Sequence, residues 1–92
     1  MRIIVDTNFL IASVRFKLRL FEELKGNRLY YISQTRAELE KLGKGRSRDA
    51  KAARLAMRML AKMKEIRSSG PADPALIREG EKGYTIATQD IW

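Results

Sequence analysis

Ile3-Ile4-Val5-Asp6-Thr7-Asn8 decides how this chain is read. A short β-branched apolar run bounded by a polar cluster is the pattern of a buried strand. Its first polar residue is an aspartate. Near the other end, Thr85-Ile86-Ala87-Thr88 followed by Gln89-Asp90 repeats the device. Between them the pattern alternates. A strand over Arg2–Val5 is followed by helices over Thr7–Ser13 and Phe16–Lys25, with Gly26-Asn27 as a stop. A second strand, Leu29–Ile32, leads through Ser33 as a cap into a helix over Gln34–Leu42. After the loop Gly43-Lys44-Gly45-Arg46-Ser47 comes the longest helix, Arg48–Lys64, with Leu55, Met59 and Met63 as its apolar stripe. A third strand over Glu65–Arg67, a helix over Asp73–Lys82 capped by Asp73, and a fourth strand over Tyr84–Thr88 complete the reading. Strands alternating with helices predict an α/β fold: three αβα layers around a short parallel sheet of about four strands, all in one domain.

In such a sheet, ligands bind at the carboxyl ends of the strands. Asp6 and Asp90 follow the first and last strands, Asp73 opens a helix at that edge, and Glu38 lies one turn into the helix after the second strand. Converging carboxylates repel one another unless a cation or protons compensate, so this pattern points to a metal site. Asp6 as a simple helix cap and Glu38 as a solvated partner of Lys41 are the alternatives.

The ionisable inventory narrows the chemistry. The 92 residues contain no cysteine and no histidine, so disulfides, thiolate nucleophiles and the usual zinc ligands are excluded. Carboxylate oxygens favour hard cations such as Mg²⁺ or Mn²⁺. No run approaches the roughly 20 apolar residues of a membrane span, and the amino terminus lacks the apolar core of a signal peptide, so a soluble cytoplasmic protein with no membrane partner is expected.

The formal charge of +8 is localised. Lys41 to Arg67 holds ten basic residues against Asp49 and Glu65, so this segment carries the whole excess. Lys44, Arg46, Arg48, Lys51, Arg54, Arg58 and Lys62 form the candidate polyanion-binding set, part of it a stripe along the long helix.

These residues resemble a family. Val5-Asp6-Thr7-Asn8-Phe9-Leu10-Ile11 resembles the opening of PIN domains, and Glu38-Leu39-Glu40-Lys41-Leu42 their second acidic motif. Ala72-Asp73 and Ile86-Ala87-Thr88-Gln89-Asp90 resemble the later two. The basic insert over residues 44–56 looks most like archaeal PIN proteins related to ribosomal-RNA processing nucleases. The likeness covers essentially the whole chain.

The resemblance implies an endoribonuclease cleaving single-stranded RNA with Mg²⁺ or Mn²⁺. Asp6, Glu38, Asp73 and Asp90 would be the metal-binding, catalytic carboxylates, and Asn8 and Thr88 the residues orienting them. It leaves open ribosomal-RNA processing with an assembly partner, a toxin with its antitoxin, or a catalytically weak RNA-binding module. Two departures stand out. Pro74 occupies a position where many members carry a second acidic residue. Members also continue past the last motif through a helix and a fifth strand, so the chain reads as truncated at Trp92, with Tyr84–Thr88 an exposed edge that a homodimer or another chain would cover.

Overall fold

The computed structural model describes residues 1–17 and 19–88. Its elements run β1 (Arg2–Val5), α1 (Thr7–Arg15), α2 (Leu20–Glu23), β2 (Arg28–Ile32), α3 (Ser33–Leu42), α4 (Arg48–Met59), a single 3₁₀ turn (Leu60–Lys62), β3 (Lys64–Ile66), α5 (Ala72–Glu81) and β4 (Thr85–Ala87). The four strands form one parallel sheet in the order β3-β2-β1-β4. Ile4 lies opposite Tyr30 on one side and Ile86 on the other.

The pleat sorts the core. Ile3, Val5 and Tyr31 face one way and pack with Leu10, Leu39, Ala53, Ala56 and Leu60 from α1, α3, α4 and the 3₁₀ turn. Ile4 and Ile32 face the other way, onto Ala75 and Leu76 of α5. Alternate residues of a strand must point to opposite faces, so burying both faces requires helices on both. The expected three-layer αβα arrangement is the one observed. Tyr84 packs its ring edge-on against Tyr30 with centroids 5.1 Å apart, beneath the Arg2 guanidinium. Among the described residues no helix is long and apolar enough to cross a membrane.

Four local expectations are corrected. The helix expected over Phe16–Lys25 shrinks to Leu20–Glu23, because Lys17 adopts a φ of 54°, which turns the chain out of α1 and leaves Phe16 64 % exposed. In α4 the buried residues are Ala50, Ala52, Ala53 and Ala56, the face continuing into Leu60 and Met63, while Leu55 is turned out. Small alanines let α4 approach α1 and α3 closely, and Leu55 falls about 200° around the helix from Ala53. Ser33 does not cap α3. Its hydroxyl instead bonds both the amide and the carbonyl of Ser68, each at 3.0 Å. Asp73 does not cap α5 either, because the capping position belongs to Pro71, whose carbonyl accepts from the Ala75 amide at 3.2 Å.

Candidate active site

The parallel sheet sends β1, β2 and β4 to one carboxyl edge, where Asp6 and α3 begin. The Asp6 amide donates to the Ala87 carbonyl at 3.1 Å, extending the β1–β4 ladder by one bond. This brings the end of β4, and Thr88 after it, beside Asp6. The Asp6 side chain is buried, with the residue only 9 % exposed, and its Oδ1 accepts the Phe9 amide at 2.7 Å. Asp6 is therefore the helix cap that its position allows, with its second oxygen uncommitted to that cap.

The approach of α3 is fixed by hydroxyls. Thr7 and Thr35, both buried, hydrogen-bond each other through their side-chain oxygens at 3.2 Å. This joins the first turns of α1 and α3 and brings Glu38, one turn further on, to the cleft that Asp6 also lines. The segment leading into α5 is braced against α3 by the Ser33–Ser68 bonds and by Gln34 Nε2, which donates to the Gly70 carbonyl at 3.0 Å. From the other side, Arg78 donates to the Ser69 carbonyl at 2.7 Å. That bracing holds Asp73 in the first turn of α5, its carboxylate free of any capping bond.

Asp6, Asn8, Thr35, Glu38 and Asp73 line one small cleft of about 40 Å³. Glu38 reports its electrostatics. Its carboxyl is held above the usual carboxylate range, first by desolvation and then by the negative charges of Asp6 and Asp73, with the Thr7 hydroxyl bond opposing. As a residue Glu38 is exposed, and its carboxyl is only partly withdrawn from water where it lines the cleft. Among the described residues the acidic side chains are not drawn into a closed ligating cluster of three.

The donor set fits a hard divalent cation. It offers only oxygen ligands, in a space large enough for an ion or water (a water needs roughly 10–15 Å³), and a nearby positive charge would relieve the repulsion felt at Glu38. Mg²⁺ ordinarily binds through one or two carboxylates while keeping several waters, which suits an open arrangement better than a tight cage.

The remaining candidates divide. Asn8 is exposed on the rim of the cleft. Asp90 lies outside the described residues. Lys44, Arg46, Arg48, Lys51, Arg54, Arg58 and Lys62 are all exposed, but two are engaged. Arg54 Nη1 donates to the carbonyls of Gly43 at 2.6 Å and Gly45 at 3.0 Å, clamping the loop before α4. A Cβ at Gly43 would lie 3.1 Å from the Arg54 side chain, so this close approach favours glycine there. Lys62 Nζ lies 5.3 Å from the Phe21 ring centre. Sequence reasoning missed Thr7 and Thr35 as parts of the site. Thr7 stands inside the opening motif, but no local pattern marks a hydroxyl pair 28 residues apart.

Comparison with known proteins follows the same outline. A family model described as a PIN like domain matches residues 3–91, a span that includes all four acidic motifs. Among solved structures, the PIN domain endonuclease Utp24 superposes with a TM-score of 0.78 at 27 % identity, covering 97 % of this chain and 71 % of that one. Comparison with curated protein sequences found no match. With the family model running from β1 past the end of β4, and the sheet order and acidic cleft as described, the chain belongs to the PIN-like domain family.

Proposed function

We propose that this protein is an endoribonuclease that cleaves single-stranded RNA with the help of Mg²⁺ or Mn²⁺. The observation that carries the reading is the meeting of Asp6, Glu38 and Asp73 in one cleft, close enough for the first and third to disfavour charge on the second. The PIN-like family and the endonuclease activity named for Utp24 support nuclease chemistry of this general kind.

Asp6, Glu38 and Asp73 would hold the cation, with Asp90 as a fourth carboxylate. When bound, it would supply Lewis acidity toward the phosphodiester and lower the pKa of the attacking water. Asn8 at the rim and Thr88 after β4 would orient these groups. The exposed cations of Lys44, Arg46, Arg48, Lys51, Arg58 and Lys62 would neutralise the phosphate backbone, a contact indifferent to sequence and weakened by salt. Ribosomal-RNA processing and toxin activity use the same chemistry, so the choice between them rests on the RNA cleaved and on the partner.

A second reading, an RNA-gripping module with little turnover, draws on the open spacing of the described carboxylates. One experiment separates the two. Single-stranded RNA is incubated with the protein and Mg²⁺, Mn²⁺ or a chelator, alongside Asp6→Asn. Cleavage that needs the cation and disappears in Asp6→Asn, with the circular dichroism unchanged, is the expected result. Equal cleavage by both proteins would sink the nuclease reading, and salt-sensitive binding without cleavage would select the second.

A further inference from the structure

At the amino-terminal edge of the sheet, away from the carboxylates, lies a second and larger cleft of about 560 Å³. Phe21, Leu24 and Lys25 line it from α2 and the turn after it, Arg28 from the start of β2, and Lys62 and Lys64 from the approach to β3. Four of these six side chains are cationic, and among the described residues no carboxylate lines the cleft. None of the four takes part in an ion pair among the described residues. Elsewhere Arg15, Arg19, Arg36 and Lys82 each have an acidic partner. The positive charge lining this cleft is therefore concentrated, and among the described residues no ion pair holds it.

Two further observations indicate what it would hold. Lys62 Nζ already lies over the Phe21 ring, and Phe21 and Leu24 are half-buried against the core, so the cleft has a fixed apolar wall beneath a cationic rim. Its volume lies within the roughly 300–1,000 Å³ of small-ligand sites. An aromatic ring with adjacent cations is the combination that binds single-stranded nucleic acid, where a base stacks while phosphates meet lysine and arginine. An acidic protein segment would satisfy the charges but has no use for the aromatic wall.

Arg28 pairs with Arg2, the first residue of β1, and Asp6 lies four residues further along. At about 3.3 Å per residue, some 13 Å separate this cleft from the carboxylates. It is a distinct site, though near enough for one RNA strand to occupy both. The exposed face of α4, carrying Lys51 and Arg58, leads to Lys62 at its rim.

We propose that this cleft is an exosite for single-stranded RNA, with phosphates on Lys25, Arg28, Lys62 and Lys64 and a base against Phe21 and Leu24. The proposal rests on the RNA-directed reading given above. It is tested by fluorescence anisotropy of a labelled single-stranded oligoribonucleotide in chelator, so that binding is read without cleavage. The triple variant Lys25→Ala/Arg28→Ala/Lys64→Ala alters only exposed side chains. It is expected to flatten the plot of log affinity against log salt by about 2, at roughly 0.7 per cation removed from a single strand. Phe21→Leu keeps an apolar side chain and is expected to weaken binding roughly fivefold with the salt slope unchanged.

If the wild-type protein binds no RNA, the underlying reading falls and the exosite with it. If it binds RNA and the triple variant keeps both affinity and slope, the exosite alone is overturned. If the triple variant loses RNA and poly-aspartate equally while Phe21→Leu binds RNA as wild type does, the site belongs to acidic protein and the RNA assignment is overturned.

Discussion

The carboxylate of Asp6 caps α1 through Oδ1, 2.7 Å from the Phe9 amide, while the same side chain lines the acidic cleft. Capping and acidity need not be alternatives, because a carboxylate has two oxygens. Substitution can separate them. Asparagine caps about as well as aspartate, whereas alanine at such a position costs ~1 kcal/mol. Asp6→Asn is thus expected to unfold near the wild-type denaturant midpoint, and Asp6→Ala at a lower one. Both would lack cleavage. Equal destabilisation by the two would show that the charge, rather than the cap, supports the fold.

Glu38 gives the site a pH signature. Its folded-state pKa is raised, by burial first and by Asp6 and Asp73 next. In the window between the ordinary carboxylate value and the raised one, the folded protein binds more protons at Glu38 than the unfolded chain does. This contribution to stability is therefore present below the window and lost as pH rises through it. Glu38→Gln should remove the loss, so in chelator the variant should gain on wild type as pH climbs from about 4 toward 7. Denaturant unfolding at several pH values measures this. A constant difference between the two proteins would mean that Glu38 is not electrostatically coupled to the cleft.

These relationships differ in how visibly the sequence carries them. Asp6, Glu38 and Asp73 could be placed together because strand and helix periodicities put them at one sheet edge, and topology then did the rest. The details of α5 could not, since an aspartate before proline reads as a cap while the cap actually lies two residues earlier, at Pro71. The packing of α4 misled for a different reason. Met59 and Met63 of the expected stripe do pack on the core, but Leu55 does not, and the α4 residues that lose all contact with water are Ala53 and Ala56, whose merit is small size. The end of α1 was hidden because a positive φ at a lysine has no compositional marker.

The Thr7–Thr35 pair is the part of the site with no sequence signal, and it makes a stability prediction of its own. Thr7→Val preserves shape but leaves the Thr35 hydroxyl buried without this partner, at a cost of about 1–3 kcal/mol. It also removes the hydroxyl that favours the charged form of Glu38, so the Glu38 pKa should rise further. Thr7→Ser should restore both. Unfolding curves together with a carboxyl-resolved NMR titration test this. A Thr7→Val variant that loses stability without moving the Glu38 titration would confine the threonine to packing.

Among the described residues β4 has a single sheet neighbour, β1, and its Thr85 is exposed. An edge of this kind is a template for another strand. Association that grows with concentration is the expected behaviour in multi-angle light scattering, and Thr85→Lys should reduce it by charging the edge. A monodisperse monomer at every concentration would remove the dimer expectation.

Arg54 separates the basic stripe into working parts. Its Nη1 is committed to both the Gly43 and Gly45 carbonyls, at the end of a side chain one atom longer than that of lysine. Arg54→Lys keeps the charge and should therefore leave the salt dependence of RNA binding nearly unchanged. It should nevertheless lower stability by about 1 kcal/mol, because hydrogen bonds to a charged donor are lost at an exposed site. Lys51 has no such engagement among the described residues and is exposed on the same helix. Lys51→Ala should do the reverse, flattening the salt slope by about 0.7 with little change in stability. Binding isotherms over a salt series, run beside thermal unfolding, distinguish the two patterns. If Arg54→Lys flattened the slope as much as Lys51→Ala, the arginine would be reaching the RNA in spite of its loop contacts, and the stripe would act as a single continuous surface.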